Sequence, residues 1–381
     1  PIMYLMPTKE LAQEFASTRF MDMVRSTPRL RNKIIVEETG RDTKKIKEFS
    51  SLVDVPVIAG GLIETEEEMR AALEAGASVV STGETGLWSI KVAFRTWRCS
   101  MKIMFCGASS GVTGSCHLIR TEKHNLLMDC GQFQGGKAQE ALNYEPFPFE
   151  PSEIEAMILS HAHIDHSGLL PLLYVHGFRG TIFSTEATRQ LCNIMLKDSA
   201  HIQEQEAEWK NRKAQRSGGQ LVEPMYTSKD AEKTLQLFEG IAYGRKIEVS
   251  EGIQVRFNDA GHLLGSSFIE IWLRENGIER KIVFSGDLGN HDRPLIKNPE
   301  HVTDADYVLI ESTYGDRVHD KPQDFAVPLA QVILDTLKRG GNIVIPAFSV
   351  GRTQELLYYI RRIKEEGLIP APYADFEVYM D

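Results

Sequence analysis

The chain has 381 residues, of which 42% are hydrophobic and 25% charged, and these fractions exclude an intrinsically disordered protein. Its net charge of −10 disfavours binding of nucleic acid by charge alone, except in a cleft where bound cations reverse the local potential. No run approaches the ~18 apolar residues of a membrane-spanning helix, and the N-terminus lacks a signal-peptide pattern. The five cysteines are too sparse for a disulfide framework and predict a reducing, cytoplasmic setting.

The first segment, residues 1–32, predicts a short apolar strand and then a helix over Lys9–Met23 that Thr8 caps. This segment resembles part of the ATPase region of phage terminase large subunits. The chain does not contain the phosphate-binding loop G-x-x-x-x-G-K-[ST], so we predict no ATPase activity.

The second segment, residues 33–98, has the pattern of a β/α unit in a parallel sheet. It predicts a buried strand over Val55–Ala59, a helix over Thr65–Ala75 and a second strand over Ser78–Ser81. Residues 33–88 resemble the last repeats of the barrel in glycerol-uptake operon antiterminators, in which Gly60, Gly61 and the Thr82-Gly83 loop would lie near a phosphate site. Two of eight barrel units cannot close a barrel, so we interpret this segment as a partial one.

A separate domain is predicted over residues 101–317, because the pattern changes at Met101 to short strands, glycine turns and separate helices. Within it we predict long helices over residues 183–215 and 228–239. The remaining residues, 318–381, read as the start of a further α/β domain. The chain starts without an initiator methionine and stops inside a strand-like run, so we expect both ends to be cuts in a longer protein.

The stretch SHAHIDHSG, residues 160–168, puts three histidines and an aspartate at the end of a predicted buried strand. His161 and His163 are two residues apart, so in an extended chain they face the same side, whereas Asp165 and His166 follow a turn and point elsewhere. One metal cannot easily take all four side chains, but two adjacent metals can. Imidazole and carboxylate ligands without cysteine suit catalytic Zn²⁺, with Mn²⁺ or Fe as alternatives.

Further candidate ligands follow other predicted strands. His262 lies in the small-residue turn AGHLLGSS, and Asp287 lies between two glycines in SGDLG. Asp129 in LLMDCG and Glu311 in LIESTYG repeat the arrangement of a strand followed by a carboxylate. Strand ends are where side chains from different parts of a sheet converge on one site.

These motifs together resemble a known superfamily. HAHIDH is similar to the H-x-H-x-D-H motif of the metallo-β-lactamase superfamily, and Asp129, His262 and Asp287 match its other three recurring motifs. ESTYGDR and IPAFSVGRTQELL resemble the β-CASP subgroup, which contains RNA-processing nucleases. The resemblance covers residues 101–381 in order.

The resemblance implies an α/β fold, a four-layer αββα sandwich with metals at one edge between the sheets, followed by the opening strand and helix of an inserted β-CASP domain. It implies that His161, His163 and His262 bind one zinc, that Asp165 and His166 bind the other, and that Asp287 lies between them. Asp129 would orient a ligand histidine, and Glu311 would orient a later one. Two further histidines of the family would lie beyond Asp381, so the catalytic set of this chain is expected to be incomplete.

The implied reaction is hydrolysis of an RNA phosphodiester, in which Asp165 accepts or orients a proton. Two metals roughly 3.5–4 Å apart supply the activated water for such a reaction. Arg317 and Arg352 are candidates for phosphate contact. Two alternatives stay open, a small-molecule hydrolase that acts on thioesters or lactones and a catalytically inactive RNA-binding paralogue, and so does a homodimer. The other histidines are interpreted as surface or packing residues: His117, His124, His176, His201, His291, His301 and His319.

Overall fold

The computed structural model describes residues 35–37, 57–59, 79–80, 101–109, 111–315, 324–347 and 350–380. Three short strands come first and form a parallel sheet in chain order: β1 (Ile35–Glu37), β2 (Val57–Ala59) and β3 (Val79–Val80). The strands predicted over Val55–Ala59 and Ser78–Ser81 overlap β2 and β3. The helix predicted over Thr65–Ala75 and the terminase-like residues 1–32 lie outside the described residues.

Six strands form the first large sheet, with neighbours in chain order. The strands are β4 (Lys102–Phe105), β5 (His117–Arg120), β6 (Asn125–Met128), β7 (Ala156–Ile158), β8 (Thr181–Thr185) and β9 (Phe238–Ile241). The pairs β4–β5 and β5–β6 are antiparallel, and the remaining pairs are parallel. The strands β6 and β7 therefore end at the same edge of the sheet.

Five strands form the second large sheet, again in chain order. The strands are β10 (Lys246–Ser250), β11 (Ile253–Asp259), β12 (Ser267–Glu275), β13 (Ile278–Phe284) and β14 (Tyr307–Leu309). Only the pair β13–β14 is parallel. Because β12 runs antiparallel to both of its neighbours, β11 and β13 end at the same edge.

The two large sheets pack face to face through one apolar core. Burial alternates along β11, as expected for a strand with one face in a core. The core contains buried residues of both sheets, among them Ile119, Met128, Ile158, Phe257, Ile271 and Phe284. Each such side chain contributes about 1.5–3 kcal/mol by leaving water. This sheet-on-sheet arrangement is that of the α/β sandwich predicted from the sequence.

Helices cover the outer face of the first sheet, where a second apolar core contains Met157 of β7 together with Leu173 and Leu196. The helices of the described residues are α1 (Lys137–Ala141), α2 (Ile164–Ser167), α3 (Leu170–Val175), α4 (Glu186–Ser217), α5 (Ser228–Leu235), α6 (Ala326–Lys338) and α7 (Arg352–Glu365). None of them is both long and apolar enough to cross a membrane. The last two, α6 and α7, pack on each other in a small core of their own.

Three local predictions differ from the structure. The helix predicted over 228–239 ends at Leu235, because the chain then forms β9, whose backbone pairs with β8. Asp165 and His166, which the sequence predicts to follow a turn, lie in the short helix α2. The opening strand expected for the β-CASP domain is not formed among the described residues 341–347, where Val344 is 89% exposed. The helix predicted from Gly351-Arg352-Thr353 is present as α7.

Two glycines allow the loops at the shared edge to approach each other closely. A Cβ atom on Gly131 would lie 1.6 Å from the carbonyl oxygen of Asp165, and one on Gly289 would lie 1.5 Å from that of Gly261. The loop around Gly131 is fixed by backbone hydrogen bonds of 2.8 and 2.9 Å from Cys130 to His166 and from Gln132 to Ile164. The loop after β6 and the helix α2 therefore form one rigid piece of backbone.

We expect Gly131→Ala to lower the free energy of unfolding by about 3 kcal/mol, because the added methyl group has to push the Asp165 backbone away. Urea denaturation followed by circular dichroism measures this. Gly136→Ala is the matched control, since no atom lies within 4 Å of a Cβ at Gly136 and its φ is −75°. Equal denaturation midpoints for the two variants would contradict the expectation.

Candidate metal centre

Three histidine rings converge at the shared edge of the two large sheets. His161 and His163 follow β7 of the first sheet, and His262 follows β11 of the second. The Nε2 atoms of His161 and His262 lie 3.1 and 3.2 Å from Nδ1 of His163. Residues 99 positions apart in sequence therefore face a single point.

Asp287 follows β13 and lies between this group of histidines and His166. Its Oδ2 atom is 3.8 Å from Nε2 of His161 and 3.6 Å from Nε2 of His262. Its Oδ1 atom is 3.2 Å from Nε2 of His166. The candidate ligand atoms of His161, His163, His262 and Asp287 all lie within 4.8 Å of one another.

A second group is formed by Asp165, His166 and the other oxygen of Asp287. Both Asp165 and His166 lie in α2, which starts directly after His163. Oδ2 of Asp165 is 3.9 Å from Nε2 of His166. The start of the helix turns these two side chains away from the first group, so Asp287 faces one group with each of its oxygens.

Asp129 holds His166 in place from behind. This carboxylate is fully buried, and it accepts a hydrogen bond from Nδ1 of His166 at 2.7 Å. The backbone N–H of Ser160 donates to its Oδ1 atom at 2.8 Å, and the hydroxyls of Ser160 and Ser115 donate to Oδ2 at 2.9 and 3.1 Å. Because Nδ1 of His166 is engaged in this way, its Nε2 atom is left to face Asp287.

The pKa shifts of the four histidines differ in direction. Burial lowers the pKa of His161, His163 and His262, the last to about 4, so these rings are neutral at neutral pH. Burial also acts to lower the pKa of His166, but Asp129 and Asp287 outweigh it and raise that pKa. Burial alone would raise the pKa of Asp287, yet the neighbouring histidines, His166 foremost, hold it well below its usual range. The neutral imidazoles of His161, His163 and His262 are in the protonation state that metal ligands need, whereas His166 would release a proton when a cation binds.

The other predicted site residues lie in different surroundings. Glu311 follows β14, and its Oε1 atom accepts a hydrogen bond from the backbone N–H of Leu288 at 2.9 Å. It therefore fixes the residue next to Asp287. Arg352 pairs with Glu355 on its own helix at 3.2 Å. Arg317 lies outside the described residues.

The sequence pattern gave no signal for Ser160, and it predicted a different role for His117. Ser160 is the first letter of SHAHIDHSG, and its hydroxyl contacts Asp129 and lies 3.1 Å from Nδ1 of His161. His117, which the sequence assigned to the surface or to packing, lines the cleft that also contains His166 and Asp287. Its position at the start of a strand carries no signal of this role, because the cleft is built from four separate stretches of chain.

Two family models match the chain. Residues 118–304 match the metallo-beta-lactamase superfamily domain, and residues 40–88 match the glycerol-3-phosphate responsive antiterminator. The chain therefore contains a domain of the metallo-β-lactamase superfamily, and the predicted fold class and both of these resemblances are confirmed. This fold implies a site for divalent metal, which the group of histidines and Asp287 can form. The terminase resemblance of residues 1–32 stays a prediction.

The names of several relatives describe proteins that act on RNA or in transcription. Ribonuclease TTHA0252 of Thermus thermophilus is 36% identical over 260 residues, which are 68% of this chain and 54% of that protein. Transcription termination factor FttA of Methanosarcina mazei is 28% identical over 345 residues, which are 89% of this chain and 50% of that protein. Endoribonuclease YSH1 of Eremothecium gossypii is 27% identical over 286 residues, 72% of this chain and 35% of that protein. The chain thus spans about half the length of these relatives or less, and its relatives include ribonucleases, as the sequence predicted.

The lowered pKa of His262 makes the metal-free protein sensitive to acid. The unfolded chain takes up a proton at His262 near pH 6.5, whereas the folded protein does so only near pH 4, so stability falls as the pH drops through this range. Between pH 7 and pH 4.5, we expect the free energy of unfolding to fall by about 2–3 kcal/mol less in His262→Gln than in the unmodified chain. Urea denaturation in a chelator at both pH values measures it, with His124→Gln, a histidine outside the centre, as the control. A loss as large in His262→Gln as in the unmodified chain would contradict the expectation.

Proposed function

We propose that this chain forms the metal-binding part of a two-zinc hydrolase that cleaves RNA phosphodiester bonds. The observation that carries the proposal is the position of Asp287, with one oxygen toward three histidines and the other toward His166. A carboxylate in this position can bind two cations at once. His161, His163 and His262 would hold one zinc, and Asp165 and His166 would hold the other.

The spacing of the donor atoms fits zinc. Nitrogens bound to a tetrahedral zinc at about 2.0–2.1 Å lie roughly 3.3 Å from one another. The two nitrogen separations around His163 are 3.1 and 3.2 Å, close to that value. Imidazole nitrogens and carboxylate oxygens without a thiolate are typical of catalytic zinc, and Mn²⁺ or Fe would accept the same donors.

Side chains of the protein would handle the proton and position the metal ligands. Two bound cations, when present, lower the pKa of a water molecule and stabilise charge on a phosphate oxygen. Asp165, whose side chain is 21% exposed, would accept or orient a proton of the attacking water. Asp129 positions His166, and Glu311 positions the loop of Asp287 through its hydrogen bond to Leu288.

RNA is proposed as the substrate on two grounds. The motifs ESTYGDR and IPAFSVGRTQELL resemble those of RNA-processing nucleases, and the relatives named above include ribonucleases. Phosphate contact by Arg317 or Arg352 is part of this proposal, and for Arg352 it requires the pair with Glu355 to open. A cytoplasmic location and a homodimer stay predictions.

The proposal is tested by metal content and RNA cleavage together. We expect a zinc-loaded chain that is extended through the two further histidines of the family to contain about two zinc ions and to cleave single-stranded RNA. His163→Ala removes the nitrogen that faces both His161 and His262, so zinc content should fall to about one or less and cleavage should drop by at least 10²-fold. Mass spectrometry of bound metal and a gel assay on labelled RNA measure the two effects.

His124→Ala is the control for this variant, because His124 is an outlying histidine paired with Glu155 at 2.7 Å. It should keep both the zinc and the cleavage. A zinc-loaded chain that hydrolyses a thioester or a lactone and leaves RNA intact would favour the small-molecule hydrolase instead. A chain that binds RNA without zinc and without cleavage would favour the inactive paralogue.

Asp129→Asn tests how the second group is held. The amide has a single acceptor oxygen and presents N–H groups toward donors, so the orientation of His166 is lost. We expect zinc affinity at the His166 group to fall about 10–100-fold while the group around His163 keeps its ion. Competition with a fluorescent chelator measures both affinities. Glu155→Gln, which changes another carboxylate that contacts a histidine, should leave both unchanged, and an equal loss at the two groups in Asp129→Asn would contradict the expectation.

A further inference from the structure

His117 is a buried histidine in the cleft beside Asp287 that the reaction described above does not use. It begins β5, is 8% exposed, and lies edge-on between Phe105 and Phe284 at ring-centroid distances of 5.3 and 5.4 Å. Its Nδ1 atom is buried and has no hydrogen-bonding partner among the described residues. Packing alone does not account for an imidazole here, because an unpartnered buried polar atom is destabilising and a phenyl ring would fill the same space without one.

The ring of His117 lines the cleft, and of its two nitrogens only Nδ1 is enclosed without a partner among the described residues. Burial lowers its pKa to about 4, so the imidazole is neutral at neutral pH and carries a proton on only one nitrogen. A buried N–H group without an acceptor is rarer in proteins than an acceptor without a donor. The enclosed Nδ1 is therefore the bare nitrogen, and Nε2 carries the proton.

The cleft itself favours a neutral ligand that bears hydroxyl groups. It has a volume of about 130 Å³. Asp287 and Glu311 contribute carboxylates to its lining, whereas neither lysine nor arginine lines it among the described residues. The described lining thus offers phosphate no cationic side chain, whereas the hydroxyls of Ser109 and Thr313 and the ring of His117 can hydrogen-bond to a sugar.

We propose that this cleft takes the ribose of the nucleotide next to the phosphate held at the metal centre, and that Nε2–H of His117 donates a hydrogen bond to its 2′-hydroxyl. This inference rests on the proposed function. The cleft adjoins that centre, because His166 and Asp287 belong to both. The 2′-hydroxyl is the group by which a protein distinguishes RNA from DNA, so His117 is a residue that determines substrate specificity.

The test is the binding of oligonucleotides to the zinc-loaded chain, measured by fluorescence anisotropy. The oligonucleotides share one sequence, and each carries a 2′-deoxyribose at a different position. We expect the unmodified chain to bind about five- to tenfold more weakly when one particular 2′-hydroxyl is missing, as for the loss of one neutral hydrogen bond. His117→Phe keeps the aromatic packing, and it should weaken binding of the all-ribose strand by a similar factor and abolish the discrimination at that position.

His176→Phe is the matched control, because His176 also contacts a phenylalanine edge-on, Phe147 at 5.9 Å, but lines a different cavity. It should discriminate as the unmodified chain does. The inference is overturned if His117→Phe keeps its zinc content and still binds more weakly to the strand that lacks that 2′-hydroxyl. An unmodified chain that binds the ribose and deoxyribose strands equally overturns it as well, while one that binds no RNA at all overturns the proposed function with it.

A measurement on the unmodified chain covers the case in which His117→Phe fails to fold or loses zinc. With ¹⁵N-labelled histidine, the Nε2–H resonance of His117 should shift on addition of the all-ribose strand. Addition of the strand that lacks the critical 2′-hydroxyl should not shift this resonance. A resonance that moves with neither strand, or equally with both, overturns the inference.

Discussion

The fully buried carboxylate of Asp129 holds together the parts of the chain from which the first sheet builds the metal centre. A carboxylate without water needs hydrogen-bond donors on both oxygens. Asp129 obtains them from Ser115, Ser160 and His166, which belong to three separate segments. Each of these segments is therefore held at the end of β6, and one hydrogen bond to a charged group typically contributes about 1.5–3 kcal/mol. The geometry of the ligand side chains that follow β7 depends on this contact.

A second constraint is the close approach of backbone at the shared edge. Gly131 lies against the carbonyl of Asp165, and Gly289 lies against that of Gly261. The first contact positions α2, which carries Asp165 and His166, and the second positions the turn that carries His262. Side chains at either glycine would separate loops that have to meet, so the ligands depend on residues that contribute no chemistry.

Much of this centre could be predicted from the sequence, because its signals are local. The spacing of His161 and His163 and the carboxylates that follow strands are visible in short stretches of chain. The strand β9 was missed, because it exists only through pairing with β8, which lies more than fifty residues earlier. His117 was assigned to the surface or to packing, because a histidine in a short apolar strand has the same local pattern whether its ring meets a core or the end of a cleft. Long-range pairing and the position of a cleft are properties of the assembled sheets.

The two large sheets contribute to the centre unequally. The first supplies His161, His163, Asp165 and His166, and the second supplies His262 and Asp287, so the ligands of each proposed zinc come from both. Each ion would then be a further cross-link between two sheets that also meet through apolar side chains and through hydrogen bonds such as those from Ser267 to the carbonyl of Ser160. An ion that binds the folded form alone adds to its stability, by about 4 kcal/mol at a thousand times its dissociation constant. In this molecule that free energy would resist the sliding of one sheet over the other, so the supply of metal in the cell would set how firmly the sandwich is closed as well as whether it can act.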